Sequence, residues 1–428
     1  MTAPATVPRH VMRARGLFAN SAFALAGDLA SKGAVAVMMV LAARQLAVGQ
    51  LALLAFAIAA ASILSAALDM GAQMLLTRDG VRSAAERSSL FRSLLVGRIP
   101  PLTASLLVAG AIGVAFGHVT LALLTVVYAA LGAGQMLLTG ALRSAQNLMP
   151  EAALKLLGAA LTVLSCVLCI VSGANAIGFL VALSVALALT LAAGAPACAR
   201  VMEGGRRLGV RASLRGSLPL GAMTLVTLVY YRSGTLALKL LSSPTQTALF
   251  ATASTIGFAL LMAPNAITTG LLPKLSATAR AEHPALMRRA VAWALLICSG
   301  IGGSVALGAH PLLVGLFGAR YGPAAPALRV LALTTLLIGP TGVLGTVLIA
   351  RGQLRPIYVQ VAVSLAGNLL AIAMLVPACG ALGAALATLA CEALAFVITA
   401  VACLRAVPGC IPVGAAGARI APAGGTTR

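Results

Sequence analysis

The chain has 428 residues, 61% of them hydrophobic and only 9% charged, with a mean hydropathy of +1.04 and a formal net charge of +22. A soluble chain carries roughly a quarter of its residues as charges, so this composition excludes a soluble enzyme or regulator and leaves a polytopic membrane protein. The eight cysteines fall almost entirely in or beside apolar runs and read as small hydrophobes, not as a disulfide framework.

The opening "MTAPATVPRHVMRAR" leads into an apolar run too long for a secretory signal, and further apolar runs follow, so the first span is expected to remain in place. Windows of about 19 residues predict spans at 17–41, 48–76, 97–116, 119–140, 152–172, 176–198, 218–241, 246–272, 290–309, 324–349, 356–376 and 379–403. The expected fold is therefore all-α, with about twelve transmembrane helices. Gaps between spans alternate in character. "VTLA", "GAN" and "PACG" carry no Lys or Arg, whereas "RDGVRSAAERSSLFR", "ARVMEGGRRLGVRASLR" and "PKLSATARAEHPALMRR" are strongly basic. The positive-inside rule puts the basic loops and both termini in the cytoplasm.

Most of the 30 Lys and Arg fall on that side. There they set topology and meet anionic lipid headgroups. No aromatic residues interleave them as a base-stacking surface requires, so nucleic acid is not an expected partner.

Laid against itself so that Gln50 falls on Gln246, the chain shows an internal repeat: Leu53 on Leu249, Leu75 and Leu76 on Leu271 and Leu272, Arg78 on Lys274, Glu86 on Glu282, Leu90 on Leu286, Arg92 on Arg288. "RSAQNLMP" is echoed by "RGQLRP" further on, after the second half inserts "LFGARYGPAAP". Six-span repeats that start on the same side give two lobes related by a pseudo-two-fold along the membrane normal, a plan that transporters use for alternating access. The expected organisation is a cytoplasmic tail at 1–15, a first lobe at 16–205, a second lobe at 206–405 and a cytoplasmic tail at 406–428. The equivalent segments "AAERSSLFRSLLVGR" and "ARAEHPALMRRAVAW" have helical spacing of apolar residues beside arginines, and are expected to lie as basic helices at the cytoplasmic interface.

Ionisable groups inside spans are costly and normally face a partner or a wet cavity. Asp28 and Lys32 stand at i and i+4 on the first span and are able to neutralise each other, either bracing helices or lining a cavity. Asp69 and Arg44 lie near span ends, where structural roles are expected. Arg232, deep in "LVTLVYYRSGTLALKLL", has no acid on its own span and is the strongest candidate for substrate contact. Lys239, nearer the end of that span, is placed to snorkel. Glu392, midway along the last span, is a candidate either for ion coupling or for packing, and Asp28 is a second coupling candidate.

Taken together, "LAARQLAVGQLALLAFAIAAASILSAALDMGAQMLLTR", "LFGARYGPAAPALRVLALTTLLIGPTGVLGTVLIARGQLRP" and "LVPACGALGAALATLACE" resemble polysaccharide-transport flippases of the multidrug/oligosaccharidyl-lipid/polysaccharide exporter superfamily. The likeness extends over roughly 16–405 and includes the Asp69–Gly71 region, Gly318, Tyr321, Leu328 and the Gly352 turn. The stretch "YYRSGTLALKLLSSPTQTALFATASTIGFALLMAPNAITTGLLPKLS" is similar too, except that Gly234 stands where many members carry an acid. The chain is also short for the family, with twelve spans where some relatives have fourteen.

The resemblance implies movement of a polyprenyl-pyrophosphate-linked oligosaccharide from the cytoplasmic to the outer leaflet of a bacterial inner membrane, for surface polysaccharide biosynthesis. Arg232, Lys32, Lys239 and Asp28 are then the cavity candidates, since a pyrophosphate needs fixed positive charge in the path. Polysaccharide polymerase and export machinery are further partners that it suggests. The rival reading is a cation-coupled multidrug antiporter of the same superfamily, using Asp28 or Glu392. An enzyme is not expected: the eight Asp and Glu are scattered, His10, His118, His283 and His310 lie near loops or termini, and no paired-carboxylate, zinc or phosphate-loop motif is present. Neither a cofactor nor a metal is called for.

Overall fold

The computed structural model describes residues 14–80, 83–145, 148–202, 209–277 and 282–406; most of the two expected tails and the lobe boundary expected at 205/206 lie outside them. In the first half run α1 (Ala14–Gln45), α2 (Val48–Asp69), α3 (Ala72–Asp79), α4 (Ala84–Gly97), α5 (Ile99–Phe116), α6 (Val119–Ser144), α7 (Leu148–Val171) and α8 (Ala176–Arg200). In the second run α9 (Val210–Leu241), α10 (Pro244–Leu260), α11 (Met262–Ala277), α12 (His283–Leu307), α13 (Ala309–Phe317), a 3₁₀ segment (Ala319–Ala324), α14 (Ala325–Ala350) and α15 (Arg355–Ala406). Among the described residues there is no strand, and 11 helical segments are long and apolar enough to cross a membrane.

The last of these makes two passes. Gly380 sits at φ 53, ψ −128, which breaks α15. Gly367 on its first arm faces Cys391 and Leu394 on its second, so the arms fold back on one another. A left-handed φ favours glycine, and a Cβ at Gly380 would also run into the Gln246 side chain. Twelve passes result, as the hydropathy predicts.

Side chains repeat along with the helices. Gln50 Oε1 accepts the N–H of Ala176 at 3.1 Å, and Gln246 Oε1 accepts that of Ala381 at 2.9 Å. In each half, then, the glutamine near the start of the second span satisfies an orphan donor at the start of the sixth.

Three expectations are corrected. The predicted second span breaks where Met70 and Gly71 both take left-handed φ, which separates α2 from α3. The eighth divides into α10 and α11. The two basic segments are not free-standing helices: α4 leads through Arg98 into α5, and the second segment runs into α12. Part of their apolar surface is covered by protein: Leu90 and Leu94 pack with Leu214 and Leu220 of the other half and Met287 is buried, whereas Leu95, Val96 and Trp293 are exposed.

The two halves meet at both ends of the molecule. At the end with the basic loops, Gly71 and Gly221 lie backbone to backbone, and a Cβ on either would overlap the other's main chain. Small residues permit this approach. At the opposite end a large core joins Met38, Leu51 and Leu54 to Phe250, Phe317 and Tyr321.

Candidate functional site

α9 carries most of the buried chemistry at the junction of the halves. Apart from the bond that Pro219 cannot make, its backbone is paired within the helix, so side chains decide what the region does. Arg232 places its guanidinium 5.2 Å from the centroid of the Phe258 ring on α10. Its electrostatic neighbour from the first half is Tyr128 on α6. No carboxylate pairs with Arg232 among the described residues, and this cation in the middle of a span is met by the face of the Phe258 ring.

Beside it, Tyr230 and Tyr231 meet edge to face at 5.2 Å, and Tyr231 meets Phe258 at 5.9 Å. Tyr230 Oη donates to Glu392 Oε1 on α15 at 2.9 Å, and Glu392 is buried. Asn368, also on α15, donates to Ser233 Oγ at 2.8 Å and to the Tyr230 carbonyl at 3.3 Å; its own Oδ1 has no partner. A cavity of about 30 Å³ opens next to this group, lined in part by Tyr230, Phe250, Ser254 and Thr388. That is room for about one water. Gly234 borders it, and a Cβ there would stand 3.0 Å from the Phe250 ring, so the aromatic ring fills the space where an acid would sit.

The remaining candidates separate. Asp28 does not pair with Lys32: its Oδ1 accepts from Lys155 Nζ on α7 at 2.6 Å. Lys155 is also held by Glu151, which in turn pairs with Arg143 at 2.7 Å. The reason is packing: α1 lies along α7, with Gly27 against Ala152 and Lys155, and this brings a fixed pair to Asp28. Lys32 is exposed on α1 and makes no hydrogen bond or ion pair among the described residues. Lys239 is half-buried in the last turn of α9, a favourable place for a cation. Asp69 pairs with Arg98, which also donates to the Ala133 carbonyl at 2.8 Å, inside the first half.

Sequence reading missed Tyr230, Asn368, Arg98 and Lys155 as partners. Only the Glu151/Lys155 spacing at i and i+4 offered a signal. No group of three or more His, Cys, Asp or Glu is arranged to hold a metal among the described residues.

Two lobes of transmembrane helices with charged and aromatic groups at their junction are the plan of a membrane transporter. The polysaccharide biosynthesis protein family matches residues 17–279, and the chain belongs to that family. Its fold is similar to that of the lipid II flippase MurJ in an inward closed conformation, with TM-score 0.74 and 12% identity over 89% of this chain and 87% of that one. It is also similar to a multidrug resistance MATE family transporter in an inward-facing conformation, with TM-score 0.66 and 14% identity over 88% and 95%. A point mutant of the Vibrio cholerae MATE transporter VcmN gives TM-score 0.65 and 19% identity over 92% and 96%. No curated protein matches the chain. Family and structural relatives are carriers and flippases, not enzymes.

Proposed function

We propose that this protein moves a polyprenyl-pyrophosphate-linked oligosaccharide from the cytoplasmic to the outer leaflet of a bacterial inner membrane, for surface polysaccharide biosynthesis. The lobes, spanning about 16–205 and 206–405, rock about the junction to expose it to each side in turn. The basic end is the cytoplasmic one, by the positive-inside rule, and both termini lie there. The observation that carries this reading is Arg232: a cation at mid-span and at the lobe junction, with no carboxylate partner among the described residues.

An unpaired cation in hydrocarbon costs several kcal/mol. Such a cost is offset when an anionic headgroup enters, because phosphate oxygens match the guanidinium fork. Lys32 and Lys239 are further sources of positive charge along the path. Asp28, already bound by Lys155, braces α1 against α7 in this reading and does not touch cargo. The sugars pass through the widened cleft while the polyprenyl chain stays in lipid. Polymerase and export machinery would act on the delivered product.

The test is deletion of the gene followed by mass spectrometry of membrane lipids, with Arg232→Ala and Arg232→Lys offered for rescue. Accumulated lipid-linked repeat units, with no rescue by Arg232→Ala and partial rescue by Arg232→Lys at normal membrane levels, are the expected result. Wild-type lipid levels with altered sensitivity to cationic drugs would instead favour a cation-coupled antiporter. The buried Glu392 carboxylate, with its Tyr230 donor, is the observation that favours this second reading.

A further inference from the structure

At the end opposite the basic loops, the halves exchange hydrogen bonds reciprocally. Arg44, one residue from the end of α1, donates through Nε to the Leu316 carbonyl at 2.8 Å and through Nη2 to that of Gly315, both in the last turn of α13. Arg320, in the 3₁₀ segment that follows, donates back to the carbonyls of Ala43 and Arg44 in the last turn of α1. Tyr321 adds a longer bond to the Ala43 carbonyl, at 3.4 Å. The last carbonyls of a helix have no partner within it and sit at the negative pole of its dipole. Each arginine thus caps the helix end of the opposite lobe.

This clasp uses no carboxylate. Among the described residues no Asp or Glu forms an ion pair with Arg44 or Arg320. When the lobes part at this end, all the carbonyl acceptors are lost together, and two exposed guanidinium groups are left with no paired carboxylate among the described residues to replace them.

We infer that Arg44 and Arg320 form the outer gate, and that it opens by exchanging helix-end carbonyls for the phosphate oxygens of the departing lipid pyrophosphate. The inference rests on the flippase reading for the identity of that anion. The exchange conserves the number of charge-assisted bonds, so the closed gate is stable when empty yet yields to a diphosphate. Two guanidinium forks reaching across the same junction suit two linked phosphates better than a neutral lipid or a cation. The arginines are then an exit station, distinct from Arg232 at mid-span.

The test is pulsed electron paramagnetic resonance in lipid nanodiscs, with spin labels at Ala47 and Leu312 and with Cys379 and Cys410 replaced by serine. Decaprenyl pyrophosphate is expected to raise the long-distance component of the otherwise unchanged protein by about tenfold relative to the short one, and decaprenol to leave it alone. Arg44→Gln/Arg320→Gln should show the long component without ligand and lose the response. Arg44→Lys/Arg320→Lys, which keeps charge but not the forks, should fall between, and its folding is checked by gel filtration alongside the Gln pair. A short distance retained in the Gln pair overturns the gate. Millimolar inorganic pyrophosphate is the second probe: if it opens the clasp and decaprenyl pyrophosphate does not, the flippase reading fails. If neither opens it, the anion exchange fails.

Discussion

At residue scale the sequence is most informative where a charge stands alone. Arg232 is legible as a cation with no acid nearby on its span, and among the described residues no carboxylate pairs with it; the Phe258 ring it lies over was not legible, since it comes from another helix. Glu392 shows the limit more sharply. Its position inside a span was plain, but Tyr230 stands on a distant span, and no local pattern links the two. Removing one partner of a buried hydrogen bond leaves the other desolvated, at about 1–3 kcal/mol. Tyr230→Phe should therefore lower the melting temperature in detergent by several degrees, and Glu392→Gln, which still accepts from Tyr230, by less. Tyr230→Phe/Glu392→Leu should lose less than the sum of Tyr230→Phe and Glu392→Leu, since the two groups are coupled; a strictly additive loss would show that the bond does not matter. Gly234→Asp makes a different point. Its carboxylate would meet the Phe250 ring, so the variant should be destabilised and should regain stability when combined with Phe250→Ala.

Among elements, hydropathy located the twelve passes, because an apolar run of the right length has few alternatives in a membrane. Breaks within passes were not legible. Met70 has a left-handed φ although it is not glycine, and α10 gives way to α11 at Leu261, with no proline at the break itself. Interfacial helices were expected where arginines flanked leucines, but Leu90 and Leu94 are buried beside residues of the other half, and Met287 of the second segment is buried within its own half. The repeat, in contrast, was visible in sequence down to Gln50 and Gln246, whose matching bonds to Ala176 and Ala381 anchor equivalent helix starts. Gln50→Ala and Gln246→Ala should each cost about 1 kcal/mol of stability and combine additively, being in different lobes. The Asp69–Arg98 pair is a heavier element of the first lobe. Arg98→Met strands a buried carboxylate and should cost about 3–5 kcal/mol, whereas Asp69→Leu/Arg98→Met should recover much of it, as replacement of buried ion pairs by apolar groups often does. Chemical denaturation in a mild detergent would separate these outcomes.

For the whole molecule, the closures at the two ends bear on one equilibrium. At the basic end the contact is glycine on glycine, Gly71 with φ +76 against Gly221, and it holds only because neither residue has a side chain. At the other end it is the reciprocal donation of Arg44 and Arg320 to the last carbonyls of the opposite half's helix. Gly221→Val should keep the basic end from closing, since its Cβ would overlap the Met70–Gly71 backbone. A cysteine placed at Leu214, which packs across the lobes there, should then react with an impermeant maleimide in inside-out vesicles about tenfold faster than in the parent, a shift that needs only a modest change in relative state energies. An unchanged rate would mean that this contact does not set the closed state. If the lobes rock as rigid bodies, opening one end favours closing the other, so adding Arg44→Gln/Arg320→Gln to Gly221→Val should pull the labelling rate back down. If the lobes instead flex independently at each end, the arginine changes will leave that rate where Gly221→Val put it. The double combination therefore decides between rocking and local fraying, which neither variant set does alone.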